Sequence, residues 1–322
     1  MFHTANSNKI LHKKTNIQLS QVHYICSMNK IGFLFLMVCM THLTKAQHID
    51  ILRTGFKYGP SAKSESGAAL INASASVDVL LPLQRENGDA VLAGFNAEYA
   101  MLQIENSPAQ HYYPTRFVLG YQKQLKSGNK FTALFLPSIK SNWQNINSNH
   151  LQNGIYARYD WYKTKNLKWQ FGGYFNTELA SLFFVPIISL NYYGSKNWHF
   201  YGVFPVNYNI MRNVGDRTRL GIRYQGLMNS IYTEVNGIPG YWERAPIELF
   251  LAVEHYFTPR IVGRFMAGHS VMRTMNLYDF NQQSDFRISA VRFGDNRNAN
   301  YSAGDSFLFE FSLFYRYDLS DS

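Results

Sequence analysis

The last strand-length segment of the chain alternates apolar and mixed positions with a period of two. From Phe307 to Leu319 the odd positions are all aromatic or leucine, whereas the even positions include Glu310, Arg316 and Asp318. Because successive side chains of an extended strand point to opposite faces, this segment has one apolar face and one mixed face. Its length suits a strand that crosses a bilayer, which takes roughly 9–11 residues when tilted. The pattern predicts the closing strand of a transmembrane β-barrel.

The same alternation recurs in the segments 152–163, 217–229 and 246–257, where apolar positions oppose charged ones. A charge on the lipid face of a barrel costs about 2–4 kcal/mol near the midplane, so the apolar faces should meet lipid and the charged faces the lumen. These charges favour either a self-neutralising network or the selectivity lining of a pore. The candidate lumen-lining residues are Arg158, Asp160, Arg219, Arg223, Glu248, Glu254, Glu310 and Arg316.

Extended segments broken by turn residues continue through the whole chain after Gln47. They predict an all-β fold, a single antiparallel transmembrane β-barrel of about 14 strands with up-and-down topology. Reading 197–212 as one kinked strand, instead of two strands joined at Pro205, changes the count, and 12 strands is the alternative. The predicted strands are 48–58, 68–81, 90–103, 115–126, 129–139, 152–163, 167–178, 182–193, 197–204, 206–212, 217–229, 246–257, 260–271 and 305–319.

The connections between these strands sort by length. Tight turns rich in Gly and Asn fall at 126–129, 194–197 and 213–216, with a further short break at Thr258-Pro259. Longer connections fall at 104–114, 140–151, 230–245 and 272–304. With the N-terminus in the periplasm, every tight turn is periplasmic and every long loop is outside, as in bacterial outer-membrane barrels. We expect 230–245 and the last loop to form an outer cap or to fold into the mouth, with Tyr241 and Trp242 near the outer interface or against a ligand.

The N-terminus predicts secretion. An apolar run from Ile31 to Met40 follows Lys30 and precedes Thr44-Lys45-Ala46, which is typical of a signal peptide cleaved before Gln47. The expected organisation is therefore an N-terminal extension plus signal peptide over 1–46, with Met28 as the initiator, and a barrel over 47–322. Both cysteines precede the cleavage site, so the mature chain offers no disulfide and no thiolate chemistry.

Composition agrees with a membrane barrel. Aromatic residues make up 16% of the chain and charged residues only 16%, and no mature segment is a continuous apolar stretch long enough for a transmembrane helix. Five lysines and no acidic residues lie in 1–46, so the net charge of +10 falls by five to +5 in the mature chain. This mild excess lacks the clustering that nucleic-acid binding requires, so no nucleic-acid partner is expected.

About 110 residues in the middle of the chain carry an ordered set of motifs. These are Gly120-Tyr121, Pro137, Val185-Pro186-Ile187, Ser195-Lys196-Asn197, Trp198 and Gly202-Val203-Phe204-Pro205. In this order they resemble an uncharacterised family of outer-membrane β-barrels from Gram-negative bacteria, a family of unknown function. The resemblance implies a barrel in the outer membrane and brings no catalytic residues. The tail Asp318–Ser322 departs from barrels generally, because the chain does not end on an aromatic residue.

No arrangement of side chains predicts catalysis. His269 and Ser270 are adjacent, as are Glu254 and His255, so the members of each pair point to opposite faces of a strand and cannot exchange a proton. We therefore expect a porin-like, non-enzymatic barrel of the cell outer membrane, a narrow channel or a structural barrel, with no cofactor and no metal. The expected partners are membrane lipid and the barrel-assembly machinery, and the solute is unknown. The alternatives are an outer-membrane lipid-modifying enzyme and a soluble periplasmic lipid-binding β-protein.

Cell fractionation tests the predicted location. We expect the mature protein in the outer membrane with an N-terminus at or near Gln47, and a band on gels whose mobility changes on heating, because closed barrels resist unfolding by detergent. Recovery from the soluble periplasmic fraction would contradict the membrane assignment.

Overall fold

The computed structural model describes residues 48–60, 69–194 and 197–318. The predicted extension and signal peptide, and residues 319–322 of the tail, lie outside the described residues. Within them the chain forms one short 3-10 helix (Ser148–His150) and nineteen strands. The strands are β1 (His48–Pro60), β2 (Leu70–Gln84), β3 (Ala90–Ile104), β4 (Gln110–Tyr112), β5 (Thr115–Gln124), β6 (Lys130–Ile139), β7 (Leu151–Thr164), β8 (Leu167–Thr177), β9 (Leu182–Tyr193), β10 (Trp198–Val203), β11 (Asn207–Asn213), β12 (Thr218–Gly226), β13 (Asn229–Val235), β14 (Ile238–Tyr256), β15 (Ile261–Asp279), β16 (Phe286–Ile288), β17 (Val291–Phe293), β18 (Tyr301–Ser302) and β19 (Phe307–Asp318).

Fourteen of the strands in the described part of the chain pair antiparallel into a closed ring. The first and last strands close it, in a register that runs from His48 opposite Asp318 to Tyr58 opposite Phe309. The predicted 14-strand up-and-down barrel is therefore confirmed, and the alternative of 12 strands is wrong. β10 and β11 are separate strands joined at 204–206, as the turn at Pro205 predicted. The ring consists of β1, β2, β3, β5, β6, β7, β8, β9, β10, β11, β12, β14, β15 and β19.

The two ends of the barrel differ in their connections. At one end, called the turn end, short turns occupy 85–89, 125–129, 165–166, 194–197, 214–217 and 257–260, and β19 also finishes there. Of the turn at 194–197, residues 195 and 196 lie outside the described residues. The opposite end, called the loop end, carries the longer segments 105–114, 140–150 and 280–306. The long segments thus lie at one end, as predicted, but that end also carries the short connections 178–181 and 204–206.

The barrel turns its apolar faces outward. In β19 the residues Phe307, Phe309, Phe311, Leu313 and Tyr315 are 39–69% exposed, whereas Leu308, Glu310, Ser312, Phe314 and Arg316 are at most 4% exposed. Apolar side chains are exposed in the same way on the other strands of the ring. This arrangement does not fit the alternative of a soluble barrel, whose apolar faces would point inward. Among the described residues, no helix has the length and apolar character needed to cross a bilayer.

Two stretches predicted as loops are strands. Residues 229–245 form β13 and the first part of β14, which pair as a hairpin around Asn236-Gly237, and β15 continues to Asp279. The prediction failed because both faces of this hairpin are buried, so its sequence lacks the alternation of apolar and charged residues that marks the lipid-spanning strands. β12 leads into β13 through Leu227 and Met228, where the regular strand is interrupted.

This hairpin, β13 with residues 238–246 of β14, lies inside the loop end and is called the lumen hairpin. Tyr232 and Tyr241 share one face and pack in a cluster with Phe183 and Val185 of β9. The other face carries Ile231 and Trp242, which pack in a second cluster with Leu70, Ala100 and Leu102 of β2 and β3. Because the two faces contact two different walls, the lumen hairpin divides the interior at this end. Tyr241 and Trp242 are fully buried, so the expectation that they lie at the outer interface is wrong.

Arginine substitutions on the two faces of the ring test its orientation. Leu251→Arg, at an outward position that is 71% exposed, should destabilise the barrel by about 2–4 kcal/mol because the charge enters lipid. Gln225→Arg should be milder, because Gln225 lines an interior cavity and its side chain lies 3.3 Å from Glu310 Oε2. The measurement is the urea midpoint of each variant refolded in phosphatidylcholine vesicles. Equal losses, or a larger loss for Gln225→Arg, would contradict the orientation.

Candidate functional site

The eight residues predicted to line the lumen lie on the inner side of the ring, in three separate groups. The first group is near the turn end. There Arg316 Nε is 2.7 Å from Asp50 Oδ1, and Arg316 Nη2 is 3.7 Å from Glu254 Oε1. Glu254 also accepts a bond of 2.9 Å from Arg264 Nε. Arg219 stacks over the ring of Tyr256 with its guanidinium carbon 4.9 Å from the ring centroid. A buried carboxylate with two arginines is held in a fixed geometry by these charge-assisted bonds.

The second group lies at the middle of the same wall. Glu310 Oε1 is 2.6 Å from Arg53 Nη2, and Glu248 pairs with Lys57. Arg223 Nη1 donates to Asn209 Oδ1 at 2.7 Å. Arg53 and Lys57 come from β1 and were not predicted. The signal was available, because they alternate with the outward residues Leu52, Thr54, Phe56 and Tyr58 in the same period of two.

The third group lies on another wall, on β7 and β8. Arg158 Nη2 donates to Asp160 Oδ2 at 3.0 Å, and Gln170 Nε2 donates to Asp160 Oδ1 at 3.1 Å. Lys168 Nζ is 3.6 Å from Asp160 Oδ2. Each predicted acid therefore has a cationic neighbour. Arg158 lies on the same strand as Asp160, whereas Lys57 on β1 reaches Glu248 on β14 past the two strands that lie between them in the ring.

Apolar side chains also fill part of the interior. Phe250, Met266, Leu308 and Met211 are at most 1% exposed and form a cluster with Tyr201 and Ala252. Cavities remain in the interior, among them one of about 230 Å³ beside Arg53, Lys57 and Glu248, and one of about 270 Å³ beside Arg158 and Lys168. The interior is thus divided into small polar spaces by packed side chains.

Glu243 on the lumen hairpin is the centre of the densest ionic cluster. This fully buried carboxylate contacts Arg287 at 2.8 Å, Arg292 at 2.9 Å and Arg297 at 2.6 Å. All three arginines lie in the connection between β15 and β19, of which residues 280–304 are called the arginine loop. Arg297 also pairs with Asp295 at 2.7 Å, and its hydrogen bond holds the pKa of Asp295 below the usual range. Burial lowers the pKa of Arg287, although Glu243 opposes the shift. The cluster ties the arginine loop to the hairpin.

Glu178 anchors the opposite edge of the lumen hairpin. Its Oε2 accepts bonds of 2.7 Å from both the backbone N–H and the hydroxyl of Ser230. Its Oε1 is 2.8 Å from Lys140 Nζ. Burial lowers the pKa of Lys140 to about 8, although Glu178 opposes the shift. The backbone N–H of Tyr232 donates to the carbonyl of Lys140 at 2.9 Å, so the edge of β13 finds acceptors on the barrel wall.

The pairs considered for catalysis are not brought together. His269 is exposed on the outer face with Nδ1 against the carbonyl of Ser270, whereas Ser270 Oγ faces the carbonyl of Ser306. Glu254 lies inside with Arg264, and His255 lies outside, 3.0 Å from Thr218 Oγ1. Among the residues that the structure describes, no group of three His, Cys, Asp or Glu is placed to hold a metal ion.

The ring, the apolar outer belt and the charged interior are those of an outer-membrane type of β-barrel, with a porin-like fold. Solved barrels similar to this chain include an outer-membrane channel from Pseudomonas putida F1, at 10% identity and a TM-score of 0.43, covering 86% of this chain and 98% of that one. The NanC porin is similar at 9% identity and a TM-score of 0.32, covering 81% and 98%. A bacterial polysaccharide outer-membrane secretin is similar at 9% identity and a TM-score of 0.32, covering 83% and 99%.

Because each of these TM-scores is below 0.5, the fold assignment rests on the strand pairing of this chain and not on the similarities. No protein-family model matches the chain, and no curated protein matches it in sequence. The resemblance to one particular barrel family is therefore not supported by a family match.

Removing the Ser230 hydroxyl tests how firmly β13 is anchored. Ser230→Ala deletes a bond to Glu178 and leaves the backbone N–H of Leu179 without its 2.7 Å acceptor. A buried group that loses its partner costs about 1–3 kcal/mol. We expect amide hydrogen exchange in 229–235 to become about tenfold faster or more, since 1.4 kcal/mol is a factor of ten. Ser302→Ala, which removes an exposed hydroxyl on β18, is the matched control. Unchanged exchange in Ser230→Ala would show that the anchor does not hold the hairpin.

Proposed function

We propose that this protein is a non-enzymatic outer-membrane β-barrel that forms a narrow channel, held closed by the lumen hairpin. The observation that carries the proposal is that a hairpin continuous with the ring lies inside the loop end. Its β13 edge is hydrogen-bonded to Glu178 through Ser230, and Glu243 on its β14 strand is ion-paired with three arginines. Short turns at one end and long segments at the other support a periplasmic turn end. The apolar outer belt supports a lipid environment, and the barrel-assembly machinery is the expected partner during insertion.

The chemistry of the interior favours a channel over a purely structural barrel. Charged side chains line the remaining cavities, including Arg53, Lys57 and Glu248 in one and Arg158 and Lys168 in the other. A barrel needed only for structure could fill this space with apolar side chains, because paired buried charges are a weak source of stability. Rings and patches of charge are instead the groups that select ions in pores.

The contacts that hold the lumen hairpin in place also favour a hairpin that can open and close the channel. Glu243 on the lumen hairpin pairs with the arginine loop. Glu178 lies outside the hairpin, accepts bonds from Ser230 of β13 and is itself paired with Lys140. Ionic contacts of this kind have well-defined bound and released arrangements, which a switching element requires. A structural barrel remains the competing interpretation, in which the same ion pairs stiffen a permanently filled interior.

Shortening the arginine loop tests the channel. Residues 281–298 are replaced by Asn-Gly. So short a connection is possible because β15 pairs with β18 and brings the two ends of the deleted segment together, with Asn300 Nδ2 2.7 Å from Asp279 Oδ1. Glu243→Gln is added so that no bare charge stays buried. We expect low conductance for the intact protein in planar bilayers and several-fold higher conductance for the variant, because the hairpin loses three cationic contacts.

Ser230→Ala in the same assay loosens the other edge of the hairpin and should raise conductance independently. Each variant is first checked for the heat-dependent gel mobility of a folded barrel. If the folded variants conduct no better than the intact protein, the channel proposal is wrong and the structural barrel becomes the better explanation.

A further inference from the structure

β10 and β11 are short strands, so the wall of the barrel reaches less far towards the loop end there than elsewhere. β10 ends at Val203 and β11 begins at Asn207. Among the described residues, His199 and Phe200 of β10 pair with the backbone of β9, and Gly202 is bonded to side chains of Ser189 and Asn191. The loop-end half of β9 therefore lacks β10 as a neighbour, and β16 pairs there instead, parallel to residues 182–184. A gap in the wall thus lies above the turn at 204–206, with the hairpin of β16 and β17 over it.

A cavity of about 300 Å³ occupies this gap. On one side it is lined by Phe183 and Val185, which belong to the inner face of β9. On the other side it is lined by Tyr224, Ile247 and Met272, which share the outward face of the ring. A cavity that contacts the inner face of one wall and the outer face of another passes between them. It therefore opens laterally, on the lipid side of the barrel.

The cavity is also next to the lumen. Gly226, Leu227 and Pro246 line both this cavity and the interior cavity of about 230 Å³ beside Arg53 and Lys57. These residues lie where β12 breaks before β13. Only this short interruption of the wall separates the lateral cavity from the interior.

The rim of the cavity has two chemical halves. Towards the turn end it is aromatic and apolar, with Phe204 exposed and its ring centroid 5.7 Å from that of Tyr224. Towards the loop end it carries the guanidinium groups of Arg287 and Arg292. The three arginines of the cluster share two ion-paired carboxylates, Glu243 and Asp295. Within the described residues, Nη2 of Arg287 and Nη1 of Arg292 have no hydrogen-bond partner.

We propose that this lateral cavity binds a single-chain anionic amphiphile that enters from the membrane. The acyl chain lies against Phe183, Leu227 and Met272, and the anionic head accepts hydrogen bonds from Arg287 and Arg292. The match follows from polarity, since one half of the rim is apolar and the other half is cationic, as the chain and the head group of an anionic amphiphile require. The proposal rests on the proposed membrane location and gives the channel a lateral entry for this class of solute.

Photolabelling tests the site with the full barrel in phosphatidylcholine vesicles. The probe is dodecanoate with a terminal diazirine, and its methyl ester is the neutral control. We expect the carboxylate probe to label peptides that contain Met228 or Met272 and the ester to label them weakly. Arg292→Gln should weaken labelling about tenfold, because one charge-assisted bond is lost. Ala290→Trp, on the rim, should block labelling by filling the entrance.

Two matched variants control for general effects. Arg212→Gln removes an exposed arginine near the turn end, and Ala299→Trp places the same bulk elsewhere in the arginine loop. Both should label like the intact protein. Equal labelling by the ester, or labelling that Arg292→Gln and Ala290→Trp leave unchanged, would overturn the proposal.

Competition identifies the head group. Unlabelled dodecanoate and unlabelled lysophosphatidate are added in separate series, and the better competitor shows whether a carboxylate or a phosphate is preferred. If neither competitor displaces the probe, the proposed site is wrong. The outcome is independent of conductance: specific labelling of a barrel that never conducts would refute the channel and keep the site, whereas conduction without specific labelling would refute the site alone.

Discussion

The pairing of β1 with β19 is the contact on which the rest of this structure depends. Lipid offers no hydrogen bonds to a strand edge, so a transmembrane sheet must close on itself. The closure joins residues that are very distant in the chain, as the ion pair between Asp50 and Arg316 across 266 positions shows. Once the ring is closed, its outer face must be apolar, and every charge of the spanning strands must find a partner inside. The three inner ionic groups are a consequence of that closure.

The edge of the lumen hairpin must also find hydrogen-bond partners, but it finds them without closing into a ring. β13 leaves the ring after β12, so its edge would be unpaired. It is satisfied by the carbonyl of Lys140, by Gln152 and by Glu178, all on the inner side of the opposite wall. The low wall at β10 and β11 belongs to the same arrangement, because strands that fold inward leave a gap beside them. Hairpin, gap and lateral cavity are therefore one structural feature.

Much of the ring could be predicted from the sequence, because apolar and polar residues alternate along its strands. This alternation is required when one face of a strand contacts lipid and the other faces the interior. The outward residues of β19 and the inner charges of β7, β12 and β14 follow directly from that rule. The hairpin could not be predicted in this way. Ile231, Tyr232, Tyr241 and Trp242 are buried on both faces, so no polar positions mark the strand, and the turn at Asn236-Gly237 was the remaining local signal. The cluster at Glu243 depends on contacts between distant segments, which alternation does not encode.

The dependence of Glu243 on the arginine loop has a consequence for the order of assembly. Its partners Arg287 and Arg297 follow it by 44 and 54 positions, in the connection before the final strand. Contacts between distant segments form late because the chain entropy they cost must be overcome first. Until the arginine loop docks, the carboxylate of Glu243 has no counter-charge from that loop, so its burial is unfavourable compared with its exposure to water. The same argument applies more strongly to the ring, which closes across 266 positions. We therefore expect the arginine loop to dock on the hairpin, and the interior to be filled, before β1 and β19 seal the ring.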